Sequence, residues 1–367
     1  MSAKQAASRS GSVANPLTRT WRGPFGMAPF DKVRPEHFPP AFDQALEKHK
    51  AEIARIAGAK TRPTFANTIA AMEVSGRLLD RVASVFFNLS SAHTNPELQA
   101  IERDIRPKLA QHSSGIYLDA DLFRRIADLY ERRDRLKLDS EQARVLDRTH
   151  TAFVRAGARL AADAKARVAE IDKRMATLTT QFAQNVLADE QSWRLVLETE
   201  ADLAGLSPAL RAAAARAGED LGLKGKHVVT LARSSVESFL QYSARRDLRE
   251  EAFKAWIRRG ENGGTTDNRA IISEIVALRA ERAGLLGFET YAHYRLDDTM
   301  AKTPEAVHGL LSQVWSHAKS RAAEEREALQ RLARGEGENF AIAAWDWRYY
   351  AEKERKARYD LDEAEVR

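Results

Sequence analysis

The sequence predicts a mainly α-helical protein. Among its 367 residues only 11 are Pro and 19 are Gly, while Ala, Leu, Arg and Glu, which favour helix, are plentiful. Apolar residues recur every third or fourth position along most of the chain. Only two short stretches are β-branched enough to read as strands. The 44% hydrophobic and 30% charged content is that of a soluble globular chain, with material for one large or two ordinary domains.

From Pro40, Phe42, Ala45, Leu46, His49, Ile53 and Ile56 form one stripe. Asn67 is placed to cap a second helix carrying Ile69, Met72, Leu79, Val82, Phe86 and Leu89. Asn95-Pro96 opens a third helix and Asp119 to Asp121 a fourth. Asp139 or Ser140 caps a long stretch reaching about Asp189. Its later residues Ile171, Met175, Leu178, Phe182 and Val186 make a coiled-coil-like seam, and Gly157 is the expected break.

Ser192–Leu197 and His227–Leu231 read as strands of a short hairpin. A small Ala-rich helix starts between them at Ser207-Pro208 and stops around Gly222. Helix resumes over Val236–Arg259, Asn268–Gly284, Thr290–Leu296, Pro304–Arg334 and Trp345 to about Arg358, with loops at 260–264 and 334–339. The end, DLDEAEVR, lacks a terminating signal and reads as cut.

Composition excludes several function classes. With no cysteine there is no disulfide, thiolate metal site or Cys nucleophile. No segment has the roughly 20 apolar residues of a membrane span. Residues 1–20 lack the apolar run of a secretory signal and read as a disordered tail, so the cytoplasm is the expected location. The net charge of +6 is concentrated at the N-terminus, where Lys4, Arg9, Arg19 and Arg22 have no acidic neighbour before Asp31. The remaining charges alternate in sign, which argues against a nucleic-acid face.

A helical zinc-hydrolase site needs two His at i and i+4 with a Glu beside them. The nine histidines are 37, 49, 93, 112, 150, 227, 293, 308 and 317, and no two are three to five apart. No Gly-x-Ser-x-Gly elbow is present. Around Gly225-Lys226 a phosphate loop fails, because Asp220 replaces its first Gly and His227 its Ser/Thr. Trp345, Trp347, Tyr349 and Tyr350, with Asp346, form the most distinctive cluster. They read as a helix packing large rings on a core, or as the rim of a peptide channel.

Several segments carry a family resemblance: GPFGMAPFDKVRPEHFPPAFDQAL, FANTIAAMEVSGRLLDRVASVFFNLSSAHTN, GARLAADAKARVAEIDKRMATLTTQF, REEAFKAWIRRG, NRAIISEIVALRAERAGLLGF, YRLDDTMAKTPEAV and WDWRYYAEKERKARYDLDEA. In sequence and order the chain resembles the thimet-oligopeptidase-like zinc metallopeptidases, and within them the peptidyl-dipeptidase branch. The resemblance implies the multi-helical N-terminal lobe of a two-lobed channel enzyme. It implies one zinc held by a His-Glu-x-x-His helix and a downstream Glu, the motif Glu acting as general base. It also implies removal of C-terminal dipeptides from short peptides, with neither nucleic acid nor membrane as partner. All these catalytic elements are expected beyond Arg367, so no residue here is assigned a catalytic, cofactor-binding or metal-ligating role.

The expected organisation is a tail over 1–20, a helical lobe over 21–190, strands with a small helix over 191–235, and the start of the peptidase domain over 236–367. That last portion is expected to expose apolar faces suited to the catalytic lobe. Two other functions fit the same residues: an endo-acting oligopeptidase of the family, and a helical peptide-binding scaffold without activity.

Overall fold

The computed structural model describes residues 15–359. Its contacts divide the chain into two units, Met1–Gln181 with Ala277–Thr290 and Phe182–Val276 with Tyr291–Arg367. The expected tail falls at 1–14 outside the described residues, but its last part is folded. Leu17 is fully buried, Asn15 Nδ2 donates to His37 O at 2.6 Å, and Arg81 Nη2 donates to Leu17 O at 3.1 Å.

In the first unit, α1 (Phe38–Ala57) follows the predicted stripe and buries Phe38, Phe42, Ala45, Ile53 and Ile56. The predicted second helix is interrupted. A π-helical turn (Phe65–Ala70) leads into the short α2 (Ala71–Glu73), and Gly76, at φ +73°, separates it from α3 (Arg77–Ala92). Its cap is Thr64, whose Oγ1 accepts from Asn67 N at 3.1 Å while Asn67 Oδ1 accepts from Thr64 N at 2.8 Å. Asn67 is therefore the return half of a capping box, three residues inside the helix. Phe86 of α3 meets Phe38 and Phe42 edge-on, with centroids 5.0 and 5.4 Å away.

Asn95 caps α4 (Pro96–Tyr117), accepting from Leu98 N at 2.9 Å, and Asp119 caps α5 (Ala120–Glu131), accepting from Leu122 N at 2.8 Å. Each cap contributes about 1 kcal/mol. Arg125 of α5 is 5% exposed and clips the loop before α2 in place. It donates to Ala59 O at 2.8 Å, Thr61 O at 3.0 Å, Asn67 Oδ1 at 3.1 Å and Thr68 Oγ1 at 3.2 Å. Asp139 caps α6 (Ser140–Ala156), which ends at Gly157 in the left-handed region, φ +104°. The next helix, α7, spans Ala162–Ser192.

In the second unit β1 (Arg194–Leu197) pairs antiparallel with β2 (His227–Thr230), Arg194 opposite Thr230 and Leu197 opposite His227. Between them α8 (Pro208–Asp220) starts at its cap Ser207. The helix predicted over Val236–Arg259 is two helices, α9 (Arg233–Tyr242) and α10 (Arg246–Ile257). At the break Ala244 N donates to Ala204 O at 2.9 Å, a long-range bond in place of an intrahelical one. Gly205 lies so close that a Cβ there would meet Tyr242 O at 2.2 Å.

The loop at 260–264 is tied to α7 through Asp189, whose carboxylate accepts from Gly260 N at 2.8 Å, Asn262 Nδ2 at 2.9 Å and Thr266 Oγ1 at 2.5 Å. The chain continues through α11 (Arg269–Leu285), α12 (Tyr291–Leu296), α13 (Pro304–Gly335) and α14 (Ala344–Tyr359). Helix thus predominates around one short hairpin, as the sequence predicts.

Gly205 combines φ +85° with backbone-to-backbone contact, so it has no room to adapt. Gly205→Ala is expected to cost at least about 2 kcal/mol of stability, read from urea unfolding. A loss below about 0.5 kcal/mol, the range of a neutral surface change, would contradict this close approach.

Candidate functional site

The aromatic cluster singled out in the sequence is organised by its one acid. Arg246 and Arg249 stand three apart on α10 and so share a face. Both reach Asp346 in the first turn of α14. Arg246 donates to it through Nε at 3.1 Å and Nη2 at 2.9 Å, Arg249 through Nη2 at 2.9 Å. Asp346 Oδ2 also accepts from Ala343 N at 3.1 Å, so the carboxylate caps its own helix. Asp346 is fully buried and Arg249 1% exposed. Arg249 Nη1 further donates to Ser243 O at 2.7 Å, satisfying a carbonyl freed at the α9–α10 break.

The rings complete this arrangement. The Arg246 guanidinium sits 4.0 Å from the Phe340 centroid and that of Arg249 4.1 Å from Tyr349. Tyr350 is buried with Leu329 and Ala333 of α13, and Trp347 packs against the same group. The packing reading of this cluster accounts for Tyr349, Tyr350 and Trp347. Trp345 is half-buried, with the Arg246 guanidinium 5.6 Å from its ring centroid.

Beside this core, α8, β2 and α9 enclose an open groove of about 1080 Å³. Its floor is apolar, including Leu210, Ala213, Ala217, Val229 and Phe239. On its rim Glu237 bridges two cations, accepting from Arg348 Nη2 at 3.1 Å and Arg233 Nε at 3.2 Å. The lining also holds Thr230, Ser234, Ser235 and Ser238.

One histidine pair escapes a search for local spacing because its members are 63 residues apart. His112 Nε2 of α4 lies 3.0 Å from His49 Nδ1 of α1, and His49 Nε2 lies 3.2 Å from Ser75 Oγ. Ser75 donates to Met72 O at 2.7 Å, so its oxygen accepts from His49 Nε2–H, and His49 Nδ1 then accepts from His112 Nε2–H. Gly76 covers the His49 ring and donates its N–H to Glu52 Oε2 at 2.8 Å. Burial lowers the pKa of both imidazoles. Glu52 and Asp80 oppose this at His49, whereas at His112 the neighbouring His49 and Lys50 add to it and Glu47 opposes it.

This pair lacks a third ligand, and among the described residues no group of three His, Cys, Asp or Glu is placed to hold a metal. A zinc site of three protein ligands does not fit these residues. Sequence spacing could not reveal the pair. Asp346 was visible as the lone acid in an aromatic run, but its partners, about 100 positions upstream, were not.

Two measurements follow. Because both imidazole pKa values are depressed in the folded state, the unfolded chain takes up protons first. The stability they contribute is complete above about pH 6.5 and falls as pH drops towards the folded-state values. Urea unfolding between about pH 7.5 and about pH 5, which spans the histidine titration, is expected to show that fall, shallower in His112→Leu. An unchanged slope in the variant would remove the pair as its source. Asp346→Asn leaves two guanidiniums undercompensated and is expected to cost about 3–5 kcal/mol. Asp346→Leu combined with Arg249→Met should recover part of that loss, and a single-variant loss below about 1 kcal/mol would show the pair to be dispensable.

Residues 239–367 match the profile of peptidase family M3. The chain is 40% identical over 356 residues to the dipeptidyl carboxypeptidase of Escherichia coli, covering 97% of this chain and 52% of that protein. It is 30% identical over 359 residues to oligopeptidase A of the same organism, covering 97% and 52%. It is 26% identical over 372 residues to a probable cytosolic oligopeptidase A of Arabidopsis thaliana, covering 98% and 52%. The chain thus spans about half the length of the curated relatives it matches. Within those bounds, residues 239–367 match peptidase family M3, and nearly the whole chain is similar to dipeptidyl carboxypeptidase and oligopeptidase A.

Proposed function

We propose that this chain serves a zinc peptidase that removes C-terminal dipeptides from short peptides, contributing binding surface rather than the zinc centre. The observation that carries this reading is the 40% identity to dipeptidyl carboxypeptidase, against 30% to oligopeptidase A over the same share of the chain. The groove along α8, β2 and α9 supports it, since an apolar floor with a charged rim suits an extended peptide. The zinc ligands, in this reading, lie outside this chain. The family match beginning at residue 239 supports a peptidase domain starting near 236, preceded by a helical lobe over 21–190 and the hairpin region over 191–235. No helix among the described residues is long and apolar enough to cross a membrane, and the proposed location is the cytoplasm.

The chain alone is expected to release nothing from an N-acylated tetrapeptide. Joined to the remaining portion of the E. coli dipeptidyl carboxypeptidase, it is expected to release the C-terminal dipeptide in a chelator-sensitive reaction followed by mass spectrometry. Internal cleavage without dipeptide release would favour the endo-acting alternative. Turnover by the chain alone would overturn the division of labour.

A further inference from the structure

Helix α13 is anchored at only part of its length. Leu329 and Ala333 near its C-terminal end are buried with Tyr350, Phe340 and Ile342. From His308 to Glu327 every residue is exposed, about 30 Å of helix. Along this length the helix is two-sided. Leu310, Leu311, Val314 and Trp315 stand between 56% and 66% exposed, and with Val307, Ala318 and Ala322 they follow the three-to-four spacing of one stripe. One turn beyond Ala318 the same face carries Arg321, paired with Glu324 at 3.2 Å and Glu325 at 3.0 Å, so the large apolar residues of the stripe end before it, while Ser312, Gln313, Ser316 and Lys319 lie on the other side. The segment from Gly309 to Ser316 contains no charge, so the stripe is suited to another apolar helix rather than to a charged partner. A soluble chain seldom leaves such a surface uncovered without a use for it.

The occupant follows from the stripe's position and from the length of the relatives. All of α13 lies inside the stretch that matches peptidase family M3. The matched relatives are about twice as long as this chain, so each has as much sequence again outside the match. We propose that the Leu310–Trp315 stripe seats an apolar helix of that remaining portion. We further propose that the seat is strong enough for the two portions to assemble as separate chains into a split peptidase. This rests on the function proposed above, from which it differs in concerning assembly without a covalent join.

The test is co-purification and sedimentation of the full chain with the remaining portion of the E. coli dipeptidyl carboxypeptidase, made as a separate polypeptide. A stable one-to-one complex is expected, with a blue shift of tryptophan fluorescence as Trp315 leaves water. Leu311→Asp and Val314→Asp are expected to weaken association at least about tenfold, because they place a charge in a dry contact. Both are exposed and remove no internal packing, so circular dichroism of the free chain should be unchanged. Association untouched by either variant would overturn the proposal, as would a homodimer of this chain that either variant dissolves. No association, while the covalently joined protein releases dipeptides, would also overturn it and leave the proposed function intact. Failure of the joined protein to release dipeptides would instead remove the functional reading beneath it.

Discussion

The second unit is organised around a carboxylate that has left water. Asp346 is fully buried, and burying a charge costs several kcal/mol unless partners replace its hydration. Arg246, Arg249 and the Ala343 N–H supply that replacement, and their placement ties three parts of the fold together. Asp346 caps the start of α14 by accepting from Ala343 N, and α10 must present two arginines to the same point. The α9–α10 break must leave Ser243 O facing Arg249. The surrounding rings are large enough to shield the pair from water while offering their faces to the guanidiniums. Such a cluster contributes less through net energy than through selectivity. A slip of one turn along either helix would strand a charge.

The first unit uses the same logic at smaller cost. Arg125 satisfies carbonyls and side chains of a loop about 60 residues away, and the His49–Ser75–Gly76–His112 junction joins α1, the turn before α3, and α4. Both are polar clips placed where a loop must be held against helices. In the histidine junction Ser75 stands within reach of His49, but its hydroxyl proton is given to Met72 O rather than to the imidazole. In the second unit the described residues also line an open groove, and this sequence spans about half of the curated relatives it matches.

Local chemistry was legible in the sequence wherever a short side chain decided the outcome. Asn95, Asp119 and Asp139 cap the helices they were expected to cap, Gly157 terminates α6, and the two β-branched stretches pair. What escaped was decided by distant partners. The α9–α10 break contains neither Gly nor Pro and exists because Ala244 bonds to Ala204 and Gly205 crowds Tyr242. Leu17 was placed in a tail because the segment lacks an apolar run, yet the leucine is buried and three hydrogen bonds order that turn, donated by Asn15 Nδ2 to His37 O, by Leu17 N to Asn15 Oδ1 and by Arg81 Nη2 to Leu17 O. The family itself was readable from whole segments, whereas the buried ion cluster and the histidine pair required the fold.

The uneven anchoring of α13 also sets how the helix breathes. Over His308–Glu327 every residue is exposed, so the helix is held there chiefly by local terms, namely backbone bonds, intrinsic propensity and the Arg321 pairs. Its C-terminal turns are fixed by Leu329 and Ala333. Fraying from the Pro304 end should therefore run deep into the helix, so that amide protons in its middle exchange with solvent on nearly the timescale of its start. Covering the stripe would turn a helix governed by one-dimensional helix–coil statistics into part of a cooperative core, and the ordering cost would be met at the moment of assembly.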